Sequence, residues 1–286
     1  MPMGHLIGDL HDLRLVVVAG DSVARGGGAR GGNLVGGHGF ARLLVENHPD
    51  FPDFAGRDLV ARFPAVGLAD VGRDRATSTR ARNALYAAIA LHALPEESEG
   101  DVLLLLHAGG HDFFDDPEVM VDPERAASAA HDLADRLANM ISVLKVRYAR
   151  GAKTMVAALC NIVDPSDAAG ALPEEAAAGL CSSFRDPRVV GDPDAVAANL
   201  GVLNGAIAEI AEKHGAVLVD LWSAFLGHGL TAPKADRWIG PDCLTLTEQG
   251  HHQVRQAIWA ALNGGGPGDA VGERAAGGGA PRPPPP

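Results

Sequence analysis

The sequence predicts an α/β fold: a central parallel sheet with helices on both faces. Three observations predict it. Short apolar runs alternate with segments of helical periodicity along the chain. The runs show almost no polar alternation, which is how strands buried on both faces read. Finally, the chain has 286 residues, 47% of them hydrophobic, enough for one such domain with a sizeable core.

Taken in order, residues 1–12 read as an N-terminal extension and 13–262 as the domain. The expected strands are 13–19, 59–63, 102–107, 154–159 and 216–221, all short and rich in leucine or β-branched residues. Helical patterns lie between them, over 40–47, 77–92, 195–214 and 247–262. Asp122 is placed to cap a long helix with Pro123 at its first position, and Leu133, Leu137, Met140, Ile141 and Leu144 form its apolar stripe. Residues 161–194 form an irregular excursion after the fourth strand, of the kind that walls a pocket. The Gly/Pro-rich tail at 263–286 cannot bury a core and is expected to be disordered.

The formal net charge of -12 lacks the basic footprint that nucleic acid or an anionic membrane surface requires. Residues 1–13 hold no basic segment followed by an apolar run, and no stretch approaches the length of a membrane span. The three cysteines, Cys160, Cys181 and Cys243, are an odd number with no metal-like spacing. That argues against a disulfide framework and for a reducing compartment, so the cytoplasm is expected.

In parallel sheets, functional residues gather beyond the carboxyl ends of the strands. The first strand ends in Gly20-Asp21-Ser22, the third in Gly109-Gly110-His111-Asp112, and the last leads to Asp242-Cys243-Leu244-Thr245-Leu246-Thr247. A serine in the turn after a buried strand lies near backbone N–H groups, which suits a nucleophile whose product oxyanion needs donors. Taken alone, Ser22 reads as a cap of the next segment.

Together the three segments resemble sequence blocks of the SGNH (GDSL-type) hydrolases, over roughly residues 13–262. The resemblance implies a three-layer flavodoxin-like fold and hydrolysis of an ester by a serine nucleophile. Ser22 matches that nucleophile, and Asp242 the acid that orients the catalytic histidine. His111 stands where the family has an oxyanion-hole asparagine. Gly67 is the expected oxyanion-hole glycine after the second strand, with Gly72 as the alternative. Asp21, Gly110 and Thr245 are expected to line the site. Thr245 is the departure that matters, because the family's D-x-x-H block has its general base there.

Threonine cannot take a proton from serine near neutral pH, and general base catalysis contributes roughly 10²–10⁴-fold. Two functions of different class follow: an esterase or acyl-transferring enzyme with a remodelled triad, or a non-catalytic protein that binds a ligand in the old pocket. In the first, His111 would act as the base, with Asp112 or Asp242 orienting it. Neither function calls for a metal or organic cofactor. Thr247 is expected to cap the last helix. His251 falls on that helix's packed face, and His252 on a face expected to be solvated.

Residues 26–31 match G-x-G-x-x-G, but Asp21-Ser22 intervenes after the strand and 60–63 supplies no acid, so a dinucleotide site is not expected. A metal site from His107, His111, Asp112, Asp115 and Asp116 is the weaker reading of that strand end.

Overall fold

The computed structural model describes residues 6–96, 98–149, 154–167, 172 and 182–265. Most of the tail, from residue 266, and residues 168–171 and 173–181 of the 161–194 excursion lie outside them. In chain order the elements are α1 (Leu6–Asp9), β1 (Leu13–Gly20), α2 (Phe40–Val45), α3 (Leu59–Arg62), β2 (Gly67–Asp70), α4 (Ser78–Ala90), β3 (Asp101–His107), α5 (Gly110–Phe114), α6 (Pro117–Val121), α7 (Pro123–Tyr148), β4 (Met155–Cys160), α8 (Pro187–Gly191), α9 (Pro193–Lys213), β5 (Val217–Val219), α10 (Leu221–Ala224) and α11 (Glu248–Leu262).

The five strands pair in parallel in the order β2-β1-β3-β4-β5. One group of helices, α4, α7 and α9, packs on β1, β3, β4 and β5, while α2 and α11 pack on each other and reach β2 and β5. Strand β3 is buried along its whole length. Covering helices on both faces explain its run of Val102 to Leu106. The packing starts earlier than residue 13, since Ile7 and Leu10 are both in the core.

Several expectations hold in detail. Asp122 accepts from the N–H groups of Glu124 (2.8 Å) and Arg125 (3.3 Å), Pro123 opens α7, and the predicted stripe is buried. Thr247 caps α11 by accepting from Gly250 N–H at 3.1 Å. Two expectations fail. Residues 59–62 form α3, because Asp58 caps them by accepting from Ala61 N–H at 3.0 Å. The second strand is Gly67–Asp70, at the sheet edge and only partly buried, so it lacks the apolar run of its neighbours. The cysteine reading also needs correction. Cys160 is free and buried, whereas Cys243 is disulfide-bonded. Among the described residues no helix is long and apolar enough to cross a membrane.

His252, expected to be solvated, is 3% exposed. Its ring stacks on Phe51 and faces Asp53 at 2.8 Å. One turn later, the fully buried Arg255 donates to His252 Nδ1 (2.9 Å), the Leu43 carbonyl (3.1 Å) and Asn47 Oδ1 (2.5 Å). Its guanidinium also lies 4.2 Å from the Phe54 ring centroid. Burial pulls the pKa of Arg255 down to about 10, so the charge is kept only because these partners replace water. Arg255 thereby joins α11 to α2 and the 47–54 turn. Arg255→Ala should destabilise the fold by about 2–4 kcal/mol, through lost packing and orphaned acceptors. Urea denaturation measures this, and a change below about 0.5 kcal/mol would refute the assignment.

Candidate active site

The order β2-β1-β3-β4-β5 reverses direction between β1 and β3, and such a switch point is where open α/β sheets place their ligand crevice. Ser22 follows β1 and His111 follows β3, so both flank that point. Gly20 ends β1 at φ +142°, where a side chain would run into the His107 carbonyl. The backbone then turns sharply. Asp21 N–H donates to the His107 carbonyl at 3.0 Å, and Asp21 Oδ1 accepts from Val23 N–H (3.0 Å) and Ala24 N–H (3.4 Å). The same oxygen lies 2.9 Å from His107 Nδ1.

This turn holds Ser22 with only 3% of its surface exposed. Its Oγ accepts a hydrogen bond from the backbone N–H of Arg75 at 2.7 Å. Arg75 has φ +55°, a left-handed conformation that L-residues other than Asn, Asp and Gly seldom adopt. No sequence signal pointed to this donor. Gly67 is not brought to the serine: it pairs with Leu15 at the start of β2, at the opposite end of the strands. Gly72 lies nearer, against Arg25 of the serine loop, but its N–H donates to Asp70 Oδ1 at 2.8 Å.

After β3, Gly109 at φ +118° starts α5 and carries His111 into the interior, where it is 4% exposed. His111 Nδ1 lies 2.9 Å from Asp115 Oδ2, and His111 Nε2 has no hydrogen-bond partner among the described residues. With Nδ1–H donating to Asp115, Nε2 carries the lone pair. Burial pushes the His111 pKa down, but the hydrogen bond and charge of Asp115, with the charge of Asp21, outweigh it and leave the pKa raised. Asp112 takes no part in holding His111. Its carboxylate accepts from Ser78 N–H (2.6 Å) and Ser78 Oγ (2.7 Å) at the start of α4. Asp116 caps α6 by accepting from Glu118 N–H at 2.9 Å. The histidines and carboxylates of this strand end therefore diverge to separate partners and do not form the weaker metal reading. Gly110 approaches Asp21, since a side chain there would meet Asp21 Oδ2 at 3.7 Å.

The third segment closes over the glycine loop. Asp242 Oδ1 accepts from Thr245 Oγ1 (2.7 Å), Thr245 N–H (2.9 Å) and Leu244 N–H (3.2 Å). A side chain at Gly27 would meet both the Ser22 carbonyl (2.8 Å) and Thr245 Cγ2 (3.1 Å), so that glycine bridges the two blocks. Thr245 thus stands beside the serine segment with its hydroxyl turned to Asp242.

His251 is a structural histidine, as its helical position implies. Its ring is fully buried, with Nε2 2.9 Å from the Gly27 carbonyl and Nδ1 accepting from Phe40 N–H at 3.3 Å. Burial lowers its pKa to about 4. The folded state therefore binds this proton less readily than the unfolded chain, whose histidine titrates near 6.5. The stability contribution is complete above pH ~6.5 and declines as the pH falls toward 4, by on the order of 3 kcal/mol. His251→Gln should flatten the stability–pH slope in that window. An unchanged slope in urea titrations at pH 7 and 4.5 would contradict this.

The chain matches the model of the GDSL-like lipase/acylhydrolase family over residues 18–253. Among solved structures it is similar to an extracellular lipase from Streptomyces rimosus, at 18% identity and a TM-score of 0.56, covering 86% of this chain and 99% of that one. It is also similar to phospholipase A1 from Streptomyces albidoflavus, at 17% identity and a TM-score of 0.53, covering 87% and 99%. A lipolytic G-D-S-L family member from Veillonella parvula gives 11% identity and a TM-score of 0.50, covering 85% and 95%. These likenesses show the fold. No match is found among curated proteins. With the family model spanning most of its length and the three-layer sheet in place, the chain belongs to the GDSL-like lipase/acylhydrolase family.

Proposed function

We propose that this protein cleaves small carboxylic esters, or transfers their acyl groups, through Ser22, with His111 as the general base that position 245 lacks. The observation that carries the reading is the His111 ring: buried, held at Nδ1 by Asp115, and unpartnered at Nε2 among the described residues. Asp115, His111 and Ser22 then stand in the roles of a carboxylate–imidazole–hydroxyl triad, identified by role rather than by sequence position.

In this scheme Ser22 Oγ attacks the ester carbonyl carbon as His111 Nε2 takes the hydroxyl proton. The carbonyl oxygen becomes an oxyanion, to which the Arg75 backbone N–H turns from its resting bond on Ser22 Oγ. The imidazolium returns its proton to the departing alkoxide, and an acyl-enzyme remains. Water, or an acceptor alcohol, repeats the sequence and frees Ser22. Asp21 holds the turn and supplies negative charge that favours the imidazolium. Family membership supports the substrate class, and the surroundings of His111 support its role as base.

A specific observation favours the second reading, a ligand-binding protein without catalysis. Asp242, which should orient a histidine, has one oxygen occupied by three donors from its own loop. The disulfide at Cys243 bears on location, because disulfides persist in oxidising compartments and are rare in the cytosol. It supports export over the cytoplasmic assignment.

A fluorophosphonate probe should label the natural protein at Ser22 and fail to label Ser22→Ala. His111→Ala should lower kcat/KM on a short-chain aryl ester by roughly 10²–10⁴-fold. Labelling confined to Thr245→His would instead identify a pocket that has lost its base. Since the base must be neutral to accept a proton and its pKa is raised, kcat/KM should rise with pH through a midpoint above the usual ~6.5 of imidazole. Asp115→Asn should move that midpoint down, and a profile that ignores both His111 and Asp115 would remove His111 from the mechanism.

A further inference from the structure

A second polar cluster lies where the glycine loop re-enters the fold ahead of α2. His38 is fully buried there, and His48 and Asp50 follow α2 in the chain. His38 Nε2 and His48 Nδ1 stand 3.5 and 3.4 Å from the same carboxylate oxygen, Asp50 Oδ2. One ligand atom from each of the three residues lies within 4.8 Å of the others.

Hydrogen bonds fix where the lone pairs point. Arg30 Nη2 lies 2.8 Å from His38 Nε2 and donates to Asp50 Oδ2 at 2.6 Å. A guanidinium has no lone pair to offer, so His38 Nε2 is an acceptor. Asp50 N–H donates to His48 Nδ1 at 3.2 Å, so that nitrogen is an acceptor too. The His38 lone pair and the Asp50 carboxylate thus meet on the Arg30 cation, while His48 Nδ1 stands beside the same oxygen and must release the Asp50 N–H to bind a metal. Ligands bonded tetrahedrally to zinc at ~2.0–2.2 Å are roughly 3.3–3.6 Å apart, which the two nitrogen–oxygen distances to Asp50 match. Behind the ring, His38 Nδ1 lies 3.2 Å from Glu248 Oε2 and makes no hydrogen bond among the described residues. A carboxylate in that position orients a metal-bound imidazole and fixes its tautomer.

We propose that His38, His48 and Asp50 bind a single transition-metal ion of the zinc type, with Glu248 supporting His38. Two imidazoles and one carboxylate suit such an ion, and water would complete the tetrahedron. Arg30, whose side chain is 62% exposed, holds the cation position and swings outward as the metal enters. The ion would tie the glycine loop to the turn after α2 and to the first turn of α11, apart from Ser22, so the assignment does not depend on how esters are cleaved.

The test is isothermal titration of the chelator-treated full-length protein with Zn²⁺ near pH 7.5, with Co²⁺ absorption reporting coordination. One Zn²⁺ per chain is expected. His48→Ala should abolish the tight site, Glu248→Gln should weaken it about 10–100-fold, and Arg30→Ala should strengthen it by removing a competing cation. Circular dichroism of each variant verifies folding. No zinc binding by either the natural chain or Arg30→Ala would overturn the proposal, as would binding undiminished in a folded His48→Ala.

Discussion

The site depends on one carboxylate oxygen. Asp21 Oδ1 gathers the N–H groups of Val23 and Ala24 and faces the imidazole of His107, all within the interior. The first two contacts fold the chain back on itself directly after β1, and the third locks that turn to the end of β3. The two strands that flank the switch point are thereby fixed to one another at the level where Ser22 and His111 emerge. A charged group so deeply placed is tolerable only because donors replace water around it. The turn is therefore built from polar contacts at the edge of an apolar sheet, and its rigidity is what keeps a buried hydroxyl in one orientation.

Much of this was legible in the residues. The apolar runs of β1, β3 and β4 and the capped stripe of α7 are strong local signals, because burial on both faces and helix capping leave few alternatives. The edge strand was not legible. Gly67-Leu68-Ala69-Asp70 has one neighbour and a half-exposed face, so nothing forces it to be uniformly apolar, while the nearby Leu59-Val60-Ala61-Arg62 looks like a strand until its Asp58 cap is seen. Locating the oxyanion glycine from that mistaken strand led to Gly67, at the wrong end of the sheet.

The side-chain partners were legible only in part. Ser22, Asp242 and Thr245 stood out through their sequence blocks, and the packed place of His251 through its helical spacing. Asp115 stood out only as one of the candidate metal ligands of that strand end, since a carboxylate one helical turn after a histidine has meaning as its partner only once the ring's other nitrogen is known to face inward. His252 read as solvated because α11 appeared to have one covered face. Arg255 in fact draws the 47–54 turn over a second one, and with it buries a cation that composition alone would place outside.

The donor on Ser22 belongs to the main chain of Arg75, not to its side chain. Almost any substitution at that position leaves the peptide N–H in place, and only proline removes it. Its left-handed backbone sets a preference for small or locally hydrogen-bonding residues without making any of them obligatory. This component can drift freely in letter while its chemistry stays constant. Divergence within such a fold would erase side-chain signatures such as the histidine at 245 long before it reached the peptide groups. The main-chain frame of such a site can thus outlive the side-chain motif by which it is recognised.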